Sequence, residues 1–124
     1  MPLFSPVAAA AGTPKATVTG TTGAPTIDSA SRSGKTIYKF TGSGSVTIGT
    51  AGTCEILVIG GGGSGGSYSG GGGGGAGGYV YDAGAFLPAG TLTVTVGAGG
   101  SGVFGSGFMN SGSGTMSKIN NVTA

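Results

Sequence analysis

The run Cys54-Glu55-Ile56-Leu57-Val58-Ile59-Gly60-Gly61-Gly62-Gly63-Ser64-Gly65 decides how the chain is read, because two architectures compete for it. One is a dinucleotide site. An apolar strand enters G-x-G-x-x-G at Gly60, Gly62 and Gly65, and Asp82 follows about twenty residues on, where a ribose-binding acid would stand. That fingerprint needs its third glycine to open a helix whose N-terminus holds the pyrophosphate. Here Gly66-Ser67-Tyr68-Ser69 follows, and then Gly70 through Gly75. At roughly 1 kcal/mol of lost propensity per glycine, no helix forms there. A P-loop fails too, for want of its closing Gly-Lys-Ser/Thr. The other architecture is a strand that delivers the chain into glycine backbone packed without side chains.

Working outward, the pattern has a period of two. Ile37-Tyr38-Lys39-Phe40 and Val46-Thr47-Ile48 read as a hairpin or a pair of short strands around Gly42-Ser43-Gly44. Cys54–Ile59 is apolar on both faces and reads as a central strand. Tyr79-Val80-Tyr81 restarts extended structure, and Phe86-Leu87-Pro88-Ala89-Gly90 turns into Thr91–Val96. There Leu92, Val94 and Val96 share one face and threonines the other. Thr115 to Ile119 is a weaker closing strand. The expected fold is a small all-β, antiparallel, β-sandwich-like domain over residues 36–124. Residues 1–35 hold Pro2, Pro6, Pro14 and Pro25 and no helical period, and read as an extended N-terminal attachment arm.

Two low-complexity tracts interrupt the strands. Residues 60–78 contain 14 glycines in 19 positions, and residues 97–114 repeat Gly-Ser-Gly units with aromatics. Neither has the every-third glycine with proline of a collagen helix. Ordering such a tract carries a large entropic cost, which only lateral hydrogen bonds between backbones can offset. On this reading Gly72→Val, in the middle of the tract, is expected to disrupt assembly.

Composition narrows the function. With 32 glycines in 124 residues, no tryptophan and nine Phe and Tyr rings, the core is small. Cys54 is the only cysteine, which excludes an intrachain disulfide, and there is no histidine. Three acids and one thiol do not make a metal site. Five cations against three acids, scattered, are no nucleic-acid footprint. No stretch reaches the ~18 apolar residues of a membrane span. Glu55 reads as a strand-edge charge or lysine partner, Asp82 as a turn residue or hydrogen-bond acceptor, and Cys54 as a small buried hydrophobe without a base to activate it. No catalytic, cofactor-binding or metal-binding constellation emerges. Between Ile56 and Ser117 the only charge is Asp82, far sparser than a solvated monomer surface carries. Burial against other copies or other proteins is the expected source of extra stability.

The residues to weigh for binding are aromatic. Tyr68 in the first tract and Phe104 and Phe108 in the second are candidates for surface contacts, since aromatics on glycine-rich loops give large contact area at low entropic cost. Tyr38, Tyr79 and Tyr81 are weighed beside them. The competing role for such rings is to plug glycine-lined grooves of their own fold.

The order of these motifs resembles a known family. Ile37–Thr41, Val46–Ile48, Cys54–Gly60 with its glycines, Gly74–Val80 and Leu87–Gly100 are similar to the glycine-rich domain of phage tail and virion proteins. In that family a V-x-V-x-G-x-G-G-G-G strand leads into a glycine tract, followed by a G-x-Y-T-V-T-V-G-A-G-G strand and a serine-rich closing strand. The resemblance covers residues 36–124 and carries over no site residues. It implies a non-enzymatic virion structural protein, a minor tail or tail-fibre component that is homo-oligomeric and held by other virion proteins. A capsid decoration or head-fibre protein is the alternative within assembly. A host-surface adhesin, binding carbohydrate through loop aromatics, is the alternative outside it.

Overall fold

The computed structural model describes residues 13–67, 70–103, 105 and 111–124. Among them there is no helix; nine strands form antiparallel pairs. These are β1 (Thr17–Thr22), β2 (Thr26–Asp28), β3 (Ile37–Lys39), β4 (Gly44–Thr50), β5 (Gly52–Ile59), β6 (Tyr79–Leu87), β7 (Gly90–Thr95), β8 (Lys118–Ile119) and β9 (Val122–Thr123). One sheet has the order β1-β4-β7-β8-β9; β5 pairs with β6, and β2 with β3. The all-β antiparallel expectation holds.

Two layers meet at a small core. Val46 and Ile48 of β4, Val94 of β7 and Val122 of β9 supply one side. Ile56 and Val58 of β5 and Ala85 and Leu87 of β6 supply the other. Each of the valines, isoleucines and the leucine contributes about 1.5–3 kcal/mol when fully buried, and Ala85 less. The alternation read in Thr91–Val96 is present: Val94 is buried, Leu92 and Val96 pack at the core's edge, and Thr91 and Thr93 face outward. Across that outward face Thr47 Oγ1 lies 3.1 Å from Thr91 Oγ1, and Thr22 Oγ1 lies 2.8 Å from Ser45 Oγ.

Three expectations change. The segments 37–40 and 46–48 form no hairpin with each other: β3 pairs with β2, and β4 pairs with β1 and β7. The second half of the expected arm enters the fold, with β1 antiparallel to β4 and Ala16 and Val18 against the core. Pro14 and Ala16 also exchange backbone bonds with Thr53. Third, β5 is not buried on both faces. Ile56 and Val58 point inward, whereas Leu57 and Ile59 are exposed.

Beyond the core the strands become glycine rods. Residues 60–66 extend β5, 72–78 lead into β6, 97–100 extend β7 and 112–115 lead into β8. The backbone bonds of the first rod follow a period of three. The N–H groups of Gly60, Gly63 and Gly66 donate to the carbonyls of Gly78, Gly75 and Gly72, at 2.8, 2.9 and 2.9 Å. Those of Gly61 and Ser64 donate to Thr115 and Gly112, at 2.9 and 3.0 Å, and Gly62 O accepts from Gly100 N at 2.7 Å. A strand would send alternate residues to each side. Successive residues here address three different neighbours, the symmetry of a polyproline II-type helix with three residues per turn. The expected lateral packing of glycine backbones is present.

The layers are also drawn together. In the sandwich they touch through side chains; sheets packed that way lie ~10 Å apart. In the array, rods from the two layers are bonded directly, backbone to backbone. The two rods of the β5–β6 layer are equally close: a Cβ on Gly74 would land on the carbonyl oxygen of Gly63, and one on Gly77 on that of Gly60. Gly61 and Gly114 are closed in the same way by Ala98 and by Gly61. Gly72 is different: nothing lies within 4 Å of the position its Cβ would take. Within the chain, therefore, nothing opposes a side chain at Gly72, and Gly72→Val does not probe the packing between rods.

This contrast gives a test with opposite signs. Gly74→Ala and Gly77→Ala should each destabilise by about 2–3 kcal/mol, as overpacked sites do. Gly72→Ala should be neutral, or stabilising by up to about 1 kcal/mol through the unfolded chain. Thermal and urea unfolding of the three variants beside the wild type measures both.

Candidate functional site

The outer face of the β5–β6 ribbon carries an apolar patch. Parity along β5 sends Thr53, Glu55, Leu57 and Ile59 away from the core, opposite to Ile56 and Val58. Register then sets Leu57 beside Tyr81, Ile59 beside Tyr79 and Thr53 beside Phe86. Between these pairs β6 carries one extra residue, since Cys54 faces Ala85 while Ile56 faces Asp82. Leu57, Ile59, Tyr79 and Tyr81 are 54, 60, 68 and 54% exposed. Scattered single apolar residues are ordinary at a surface, but four adjacent large ones in a ladder mark an interaction site.

A charged cluster borders the patch. Asp28 Oδ1 accepts the N–H groups of Ala30 and Ser31, at 2.9 and 3.0 Å, and Gly34 (φ 72°) completes the turn. This loop brings Arg32 and Lys35 onto Glu55. Arg32 forks onto the carboxylate, with Nη1 2.5 Å from Oε2 and Nη2 3.3 Å from Oε1, and Lys35 Nζ bonds Oε1. The Tyr81 hydroxyl donates to Oε2 at 3.4 Å. The hydrogen bonds from Arg32 and Lys35 hold the Glu55 carboxyl at about 2. Hydrogen bonds from Ser31 likewise hold Asp28 below the usual carboxylate range. Arg32 and Lys35 are matched by the two carboxylates of Glu55 and Asp28, so the cluster carries no net charge.

The residues weighed for chemistry take modest roles. Gly60 N, Gly61 N and Gly63 N, which a pyrophosphate would need, are bonded to neighbouring rods, and Gly65 opens no helix. Asp82 lies within β6 and not in a turn; its carboxylate serves as a hydrogen-bond acceptor, from the N–H of Gly84 at 2.9 Å. Cys54 is half-buried, and burial pushes its thiol up, away from the reactive thiolate. Among the described residues no group of three or more His, Cys, Asp or Glu is placed to hold a metal. Tyr68, Phe104 and Phe108, the candidate surface aromatics, lie outside the described residues. Tyr79 and Tyr81 are on the patch, while Tyr38 sits on β3 opposite Ile27. Leu57 and Ile59 were missed because an all-apolar strand reads as buried. The available signal was Glu55, a charge that shares their parity.

The sign of the pH dependence follows from Glu55. A carboxyl held at about 2, against an ordinary 4.5, contributes stability that is present above pH 4.5 and lost as the pH falls through 2. Glu55→Gln should therefore flatten the dependence of the unfolding midpoint between those limits while leaving the fold intact. Urea midpoints at intervals across that range, for wild type and variant, check it.

Comparison with known proteins adds one assignment. No curated protein and no solved structure matches the chain. Residues 39–124, from the end of β3 through both glycine tracts to the last residue, match the glycine-rich domain, and the chain belongs to that family.

Proposed function

We propose that the chain is a non-enzymatic structural component of a phage virion, a minor tail or tail-fibre protein that acts through assembly contacts. The observation that carries this reading is the exposed apolar face of Leu57, Ile59, Tyr79 and Tyr81 on so weakly charged a chain. A free solvated protein gains nothing from such a face, whereas a subunit of a larger particle uses it. The glycine array suits the same role: it is a scaffold of close-packed backbone. The virion setting rests on the order of motifs, which resembles that of phage tail and virion proteins.

Purified phage particles, labelled with antibody against this chain and imaged by electron microscopy, test it. Label at a fixed position on the tail or fibre is the expected result. Label on the head would move the protein to capsid decoration. Absence of the protein from purified particles, with all of it in the soluble fraction, would sink the virion reading.

A further inference from the structure

We infer that the backbone-lined groove beside the rod of residues 72–78 takes the same rod of a second copy of this chain, so that two glycine arrays join into one. The contact is separate from the apolar ribbon face and does not depend on the virion setting.

Rod 72–78 is the edge of the array. Rod 60–66 is bonded to three others, whereas rod 72–78 is bonded to rod 60–66 alone, through the carbonyls of Gly72, Gly75 and Gly78. Among the described residues, no backbone acceptor meets any N–H group from Gly72 to Gly77. An edge strand with such a row of unpaired groups is a template for another strand. The edge of a rod array is a template for another rod in the same way.

Nothing within the chain calls for glycine on the open side of this rod. No atom lies within 4 Å of the position a Cβ would take on Gly72, Gly73 or Gly75, and none of the three has a positive φ. Alanine there would cost less to order. Proline would keep the rod's form and break no bond within the chain, since these N–H groups are not used inside it. Residues 72–75 are nonetheless all glycine. Bare backbone that keeps its N–H groups is what the close approach of another backbone requires.

The groove says which rod fits. Its volume is about 560 Å³, with rod 72–78 as one wall, rod 60–66 as floor and residues 111–114 as the other wall. Gly61, Gly63 and Ser64 line it, and among the described residues their carbonyls accept no backbone bond. An occupant must therefore bring N–H donors repeating every three residues, with almost no side chain to hold it off. Rod 72–78 of a second copy has this character. A loose glycine peptide would have to be ordered on binding, whereas the rod of a folded copy is ordered already. The rod is also a wall of its own groove, so a two-fold axis parallel to the rods seats each copy's rod in the other's groove. That exchange closes at two copies. Residues 60–78 carry no charge, so the two arrays meet without repulsion.

So small a contact suits a dissociation constant on the order of 100 µM. Sedimentation and amide hydrogen exchange of the full chain, from about 50 µM to about 1 mM, test it. A monomer–dimer equilibrium is expected. The N–H groups of Gly60, Gly63 and Gly66 should exchange slowly at every concentration. Amides within 72–77 should exchange fast when dilute and slow by roughly threefold across the range, as the monomer fraction falls. Gly72→Val and Gly75→Pro should each weaken the dimer at least about tenfold, since each puts bulk into the contact and Gly75→Pro also removes a donor. Slow exchange at Gly60 and Gly63 shows that a variant keeps its array; if Gly75→Pro loses it, Gly72→Val decides. Leu57→Asp, on the apolar face, should leave the dimer unchanged. A monomer throughout the range overturns the proposal. So does a dimer that survives Gly72→Val, a dimer abolished by Leu57→Asp, or growth beyond two copies.

Discussion

Each turn of the rod formed by residues 60–66 directs its backbone bonds to three different neighbours, and the architecture follows from that constraint. A strand bonds in one plane and needs side chains to fill the space above and below it. A rod with three-fold symmetry bonds in every lateral direction and leaves no such space. Glycine is required where rods face one another, as at Gly74 and Gly77, because a Cβ there would occupy a carbonyl's place. Proline, which favours the same helical form, is excluded from donor positions such as Gly60, Gly63 and Gly66 because it has no N–H. No proline interrupts the chain between Pro25 and Pro88.

The sandwich and the array are one object with two modes of packing. Strands β5, β6, β7 and β8 run on into, or out of, the four rods, so strand register and rod register are set together. Side chains hold the layers apart at one end and backbone bonds draw them together at the other. Ser117 sits at the transition. Its backbone exchanges two bonds with Ala124 at 2.9 Å, and its buried hydroxyl accepts the N–H of Gly97 at 2.8 Å. The ribbon anchored in this way carries Leu57, Ile59, Tyr79 and Tyr81 on its outer face.

The sequence made some of this legible and hid the rest for physical reasons. The alternation of Leu92, Val94 and Val96 with threonines was clear because one face is core and the other is wet. Lateral packing of the first glycine tract was also readable, since neither a helix nor a side-chain core was available to it. Which glycines are closely faced was not readable: Gly72 and Gly74 are identical in sequence, and only the rotation of the rod separates them. The partner of β4 was hidden as well. Short strands joined by glycine turns do not reveal which neighbour they pair with, and β1 arrived from a proline-spaced segment with little apolar pattern. The apolar patch was lost to an ordinary inference, that a strand apolar on both faces is buried on both.

The array also shapes how the protein responds to temperature. Unfolding a side-chain core exposes apolar surface and raises the heat capacity, which curves the stability profile and weakens the fold on cooling. Unfolding glycine rods exposes mainly peptide groups, whose hydration acts in the opposite direction. A chain that holds so much of its structure by backbone bonds thus has a flatter profile than one of equal length with an ordinary core. The hydrophobic contribution, which fades on cooling, is correspondingly a smaller share of what holds it.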